Sequence, residues 1–172
     1  MEIRKGTIEE FESILSFYYQ LIDSFDELEY RPAWQKDIYP SASFIMHALE
    51  SGNLSVAIID GQVVGSVICD HFGNVEYSNV KWAVDAKDSE VMVLHALGVS
   101  KEHMRHGIGK ALVREVIRIA RESGCKAVRL DVLDGNLAAA KLYESVGFEP
   151  VCKMNLYYRT GWHDFVLYEY VL

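Results

Sequence analysis

The chain has 172 residues, half of them apolar and 24% charged, with a formal net charge of −8 at pH 7. That length suits one compact domain, residues 1–172, with a sizeable core, and is too short for two domains of ordinary size. The acidic balance argues against general nucleic-acid binding, because a phosphate backbone is met by a basic face.

The opening Met1-Glu-Ile-Arg-Lys5 lacks the apolar stretch of a signal peptide, and no apolar run approaches membrane-spanning length. A cytoplasmic protein without a membrane partner is expected. Cys69, Cys125 and Cys152 are odd in number and widely spaced, which fits small buried thiols better than disulfides or a zinc site.

Residues 2–5 read as a short strand. Thr7 with Glu10 three residues later makes a capping-box pattern that starts a helix running to about Phe25. Acidic and aromatic residues then mingle up to Tyr39, broken by Pro32 and Pro40, before Ser41 or Ser43 caps a second helix ending near Ser51-Gly52. Asp60-Gly61, between apolar runs at 54–59 and 63–69, predicts a hairpin with a two-residue turn.

A strand over about 91–99 follows, then a helix over about 107–123. On a helical wheel Ile108, Leu112, Val113, Val116, Ile117, Ile119 and Ala120 share one half, and Lys110, Arg114, Glu115, Arg118, Arg121 and Glu122 the other. One half packs on a sheet and the other meets water. A strand over 127–133, a helix opened by Asn136 and closed by Gly147 as a left-handed residue, and a hairpin around Thr160-Gly161 complete the chain.

Chemistry concentrates where the 91–99 strand meets the next helix, in Leu97-Gly-Val-Ser-Lys-Glu-His-Met-Arg-His-Gly-Ile-Gly109. A helix N-terminus leaves its first N–H groups unpaired and carries partial positive charge, so a small-residue turn seats a diphosphate on those donors. Gly107 and Gly109 leave room for that approach. Downstream, Asn136, Ala140 and Tyr143 fall at helical spacing on one face, an amide and a phenol flanking an alanine floor.

The element order and these two motifs together closely resemble the GNAT superfamily of acyl-CoA-dependent N-acyltransferases, over essentially the whole chain. The resemblance implies an α+β, three-layer fold, with a mostly antiparallel central sheet, a splayed strand pair and flanking helices. It implies acetyl transfer from acetyl-CoA to a primary amine by direct attack, with no metal and no covalent acyl-enzyme. Leu97, Gly98 and Val99 would line the pantetheine arm at a bulged strand end, while Arg105, His106, Gly107, Ile108, Gly109 and Lys110 receive the diphosphate. Asn136 would bond the cosubstrate, and Tyr143 would reach its sulfur and protonate the leaving thiolate. The family's turn begins with Gln or Arg, where this chain has Met104, with Arg105 one place later.

A general base is less clearly marked. His95, with an unperturbed pKa of about 6.5, is the leading acceptor for the amine proton, and a hydrogen-bonded histidine on a half-buried strand is the competing account. The place where another branch of the family carries glutamate is Val93, and Glu90 acting through water is the alternative base. His103 and His106 read as solvated turn residues rather than ligands. On the acceptor side stand Tyr30, Trp34, Tyr39, Tyr157, Tyr158 and Trp162, which serve equally to clasp an amine or as core or homodimer contacts, with packing favoured for most. Asp23, Asp26, Glu27 and Glu29 would attract a cationic acceptor or simply form a solvated face. A protein N-terminus, a lysine, a polyamine-like compound and another small amine all fit. A non-catalytic acyl-CoA-binding or regulatory module is the alternative to an enzyme.

Overall fold

The computed structural model describes residues 1–27 and 32–172. Seven strands form a mixed sheet, with helices α1 (Phe11–Asp23), α2 (Ala42–Glu50), α3 (Ile108–Glu122) and α4 (Leu137–Glu144). The strands are β1 (Glu2–Lys5), β2 (Leu54–Ile59), β3 (Gln62–Asp70), β4 (Val91–Val99), β5 (Ala127–Leu133), β6 (Glu149–Tyr158) and β7 (Gly161–Val171). The chain divides into two compact units, Met1–Ile68 with His95–Leu112, and Cys69–Leu94 with Val113–Leu172.

In the first unit, the Thr7 N–H donates to the Glu10 carboxylate at 3.0 Å, and Arg4 of β1 grips the same carboxylate with two bonds of 2.8 and 2.7 Å. A 3-10 turn, Ile8–Glu10, therefore precedes α1, and a second, Ser24–Glu27, follows it. Ile14, Phe17, Tyr18, Leu21 and Phe25 recur at helical spacing and are all buried, packed with Ile45, Ala48 and Leu49 of α2 and Leu54, Val56 and Ile68 of the sheet. Each such side chain contributes roughly 1.5–3 kcal/mol on burial. The Ser41 hydroxyl accepts from the Phe44 N–H at 3.2 Å and so caps α2. β1 and β3 flank β2 in antiparallel register, and Asp60 and Gly61, both with positive φ, make the predicted two-residue turn.

In the second unit β7 lies between β5 and β6, antiparallel to both. β4 adds a parallel ladder, Val91↔Ala127 to Val93↔Arg129. Val113, Val116, Ile117 and Ala120 of α3 are buried, while Arg114, Arg118, Arg121 and Glu122 are exposed, as the wheel predicts. α4 ends in a Schellman motif: Gly147, at φ 108°, donates to the Glu144 carbonyl, and Phe148 donates to the Tyr143 carbonyl. The Tyr143 and Phe148 rings meet edge to face at 5.6 Å, the apolar contact that accompanies such a cap.

Candidate active site

Within β4, Ala96 has a φ of 49°, which puts a non-glycine residue in left-handed backbone in the middle of a strand. Tyr18, fully buried on α1, donates its hydroxyl to the Ala96 carbonyl at 2.8 Å. Two residues on, Gly98 sits against α1: a Cβ there would stand 2.5 Å from Leu21 Cδ2, so only glycine lets the helix approach this closely. His95, Leu97 and Val99 are half-buried and Gly98 is buried. The His95 ring stands edge-on to Phe44 with centroids 6.1 Å apart.

Beyond β4, the Ser100 N–H donates to the Val64 carbonyl at 2.9 Å, and the Ser100 hydroxyl lies 2.8 Å from His103 Nδ1. The 3-10 turn Lys101–His103 that follows makes His103 half-buried and bonded, a correction to its reading as a solvated residue; His106 is exposed as expected. Met104 packs against the core of the first unit, which explains why the place that carries Gln or Arg in the family pattern holds an apolar side chain.

Arg105 and Gly107 then both take left-handed backbone, φ 64° and 81°. Alternation of left- and right-handed residues turns successive amides to one side and makes an anion-binding concavity. The Ala111 N–H donates to the Gly107 carbonyl at 3.0 Å, which starts α3 and leaves the first-turn amides of Ile108, Gly109 and Lys110 beyond the helical ladder. Ile108 is buried and anchors the helix, whereas Arg105, His106 and Gly107 are exposed. A Cβ built on Gly107 meets nothing within 4 Å, so the ground over this turn is open to a ligand.

In the second unit, Asn136 caps α4, its side-chain oxygen accepting from the Ala139 N–H at 3.1 Å. The amide NH2 is the part of that side chain left for a bound molecule. Tyr143 is 6% exposed, and burial pushes its phenol well above the usual tyrosine range, with the negative charge of Asp131 adding to the shift. Burial therefore keeps this phenol in its neutral form.

The structure therefore assembles His95–Val99 and Arg105–Lys110 in the first unit, and Asn136 with Tyr143 on α4 in the second. Glu90 makes a poor base. A 2.8 Å ion pair to Lys126 and the Lys87 N–H hold its carboxyl below the ordinary range, so it resists protonation.

The acidic run near α1 is also reassigned. Lys36 pairs with Asp23 and Lys101 with Glu27, so those charges serve the first unit's own lysines. Glu29 and Tyr30 lie outside the described residues. Trp34 packs against Tyr18, Phe25 and Tyr39, a core role, while Tyr157 and Trp162 form an exposed pair at the tip of the β6–β7 hairpin.

Sequence reasoning missed a polar cluster on β5. Asp131 accepts from the hydroxyls of Tyr77 at 2.7 Å and Tyr158 at 2.5 Å, and Arg129 forms a buried ion pair with Glu169 at 2.9 Å. Its signal is the alternation Ala127-Val-Arg-Leu-Asp-Val-Leu133, with charges on every second place of an otherwise apolar strand. Among the described residues no group of three or more His, Cys, Asp and Glu is placed to hold a metal, and no helix is long and apolar enough to cross a membrane. Cys69 and Cys125 are buried free thiols, and Cys152 is a half-buried one.

A family model described as the Acetyltransferase (GNAT) family matches residues 9–148. N-alpha-acetyltransferase 60 of Xenopus tropicalis is 28% identical over 152 residues, covering 84% of this chain and 60% of the relative, so the chain spans about three-fifths of that protein. The crystal structure of a ribosomal-protein-alanine N-acetyltransferase from Brucella melitensis superposes with a TM-score of 0.75 at 23% identity, covering all of both chains. That of Arabidopsis thaliana NAA60 in complex with acetyl-CoA superposes with a TM-score of 0.72 at 19% identity, covering 99% of each.

Proposed function

Because the chain belongs to the acetyltransferase (GNAT) family, we propose that it transfers an acetyl group from acetyl-CoA to a primary amine. We take residues 1–172 as one catalytic domain, since the family match at 9–148 runs through both units. The observation that carries the reading is the start of α3, where left-handed Arg105 and Gly107 open onto the first-turn amides. Those amides, the helix dipole and the cationic side chains of Arg105 and Lys110 suit a diphosphate. The name of the Arabidopsis relative, which was crystallised with acetyl-CoA, supports the same cosubstrate here.

The reaction needs a neutral amine, whose pKa resembles that of lysine at about 10.4. We assign His95 to accept the ammonium proton. The amine nitrogen attacks the thioester carbonyl, the C–S bond breaks, and the Tyr143 phenol gives its proton to the departing thiolate. A backbone N–H near Ala96 polarises the carbonyl. Leu97, Gly98 and Val99 line the pantetheine, and the Asn136 amide donates to the cosubstrate. No metal takes part in this scheme. Relatives named N-alpha- and N-epsilon-acetyltransferases, among them an N-alpha-acetyltransferase RimI from Mycobacterium tuberculosis and a thialysine N-epsilon-acetyltransferase from Bos taurus, support an amine acceptor. Buried free thiols at Cys69 and Cys125 are compatible with a reducing, cytoplasmic setting.

The test is release of free coenzyme thiol with a panel of amines. Turnover above the hydrolysis background supports the enzyme; binding of acetyl-CoA without transfer to any amine replaces it with a non-catalytic binding module.

A further inference from the structure

α3 carries a row of cations along its length. Lys110, Arg114 and Arg118 follow one another at four-residue spacing, about 6 Å apart along the axis and on one side of the helix, and Arg121 comes three residues later. Their surroundings differ. Glu115 and Glu122 grip the Arg118 guanidinium from both sides, at 2.7 and 2.5 Å. Arg121 donates to the Tyr170 hydroxyl at 3.0 Å and lies over that ring, 5.9 Å from carbon to centroid. Arg114 is exposed, and among the described residues its side chain has neither an ion pair nor a hydrogen bond.

An open groove of about 480 Å³ begins at Arg114 and runs on along the helix. Ile117 and Val146 give it apolar ground and Tyr170 an aromatic side. Of its charged residues Arg118 and Glu122 neutralise one another, which leaves the net charge to Arg114 and Arg121. Val146 stands just past α4, so the side of α3 that bears Arg114 is the side turned toward the end of α4. α4 is also the helix whose Asn136 and Tyr143 are assigned to the cosubstrate. Side chains on a helix lean toward its N-terminus, which favours reach from residue 114 back toward Lys110.

In coenzyme A one ribose carries the diphosphate on its 5′ oxygen and a further phosphate on its 3′ oxygen. A coenzyme whose diphosphate sits on the amides of residues 108–110 therefore holds its third phosphate one ribose away, a span comparable to one turn of helix. A phosphate dianion is met well by the planar fork of a guanidinium, and an open groove lets it keep part of its hydration. We propose that Arg114 binds the 3′-phosphate of coenzyme A and is the residue by which the protein prefers the coenzyme to its 3′-dephospho form. The assignment rests on the acetyl-CoA reading above.

Calorimetric titration with coenzyme A and with 3′-dephospho-coenzyme A, at low salt, tests it on the wild type, Arg114→Gln and Arg118→Gln. The wild type should bind coenzyme A about tenfold more tightly than the dephospho form, a preference that shrinks as salt is raised. Arg114→Gln should abolish the preference by weakening coenzyme A alone. Arg118→Gln should keep it, because that cation is already held by two glutamates. Equal affinity of the wild type for both ligands, a preference retained by Arg114→Gln, or equal weakening of both ligands in that variant overturns the assignment and leaves the acetyl-CoA reading standing. Loss of the preference in Arg118→Gln as well also overturns it, since the helix's general charge would then make the distinction. Absence of saturable binding of either ligand to the wild type overturns the acetyl-CoA reading itself.

Discussion

The Tyr18 hydroxyl donates to the carbonyl of Ala96 across 78 residues of sequence, at 2.8 Å and in a fully buried setting. Ala96 is the β4 residue with positive φ, and this bond gives its carbonyl a partner from α1. Tyr18→Phe removes the donor and leaves the acceptor buried, which should cost about 1–3 kcal/mol. Urea unfolding, comparing midpoints at constant slope, checks it.

Burial also pushes the Tyr18 phenol above its usual range, so the folded state favours the neutral form. Stability from this group is complete below the unfolded tyrosine pKa of about 10, and is lost as pH rises toward the raised folded value. Wild-type protein should therefore lose stability above pH 10 more steeply than Tyr18→Phe, measured by thermal melts across that range.

For Tyr143 the prediction concerns rate. Tyr143→Phe should lower kcat by about 10²- to 10⁴-fold, the usual contribution of a positioned acid, with little change in acetyl-CoA affinity. Because burial first and Asp131 second keep the phenol protonated, turnover should climb with pH as the amine is deprotonated, with no decline from this acid below about pH 10. A pH–rate profile of both proteins checks the two statements together.

Two glycines separate packing from ligand binding. Gly98→Ala places a Cβ 2.5 Å from Leu21 Cδ2 and should cost about 1–3 kcal/mol of stability. Gly107→Ala meets no neighbour but must hold φ near 81°, a strain of roughly 1–2 kcal/mol, and should weaken acetyl-CoA while the melting temperature falls only slightly. Parallel melts and calorimetric titrations distinguish the two.

Glu10 gives an acid-side prediction. Its hydrogen bonds from Arg4, aided by the Thr7 amide, hold its carboxyl down to about 2. The folded pKa lies below the unfolded carboxylate value of about 4.3, so this group's stabilisation is present above that value and disappears as pH falls toward 2. Glu10→Gln should flatten the loss of stability in that window, read from denaturant melts at successive pH values.

Much of this architecture is legible in the chain because its signals are local. Asp60-Gly61 specifies its hairpin, Gly147 ends α4 as a left-handed residue, and the apolar half of α3 is the half that is buried. β4 and β5 fall on the expected residues for the same reason, being apolar runs between turn-forming stretches. What the sequence hides is set by partners distant along it. Nothing near Ala96 announces its left-handed backbone, since its partner Tyr18 comes from another element. The Arg129–Glu169 pair joins residues 40 apart, and the loop it holds, 71–90, carries no periodicity to read. The lysine pairs of Asp23 and Glu27 are likewise invisible until α1 is folded beside residues 36 and 101.

The central claim is that the turn from Arg105 to Lys110 holds the diphosphate of coenzyme A. Calorimetric titration of the folded protein with coenzyme A and, separately, with pantetheine tests it most directly. One saturable site for the coenzyme, with pantetheine bound at least a hundredfold more weakly, is the predicted result. Equal affinity for the two, or no saturable binding of the coenzyme, would contradict it.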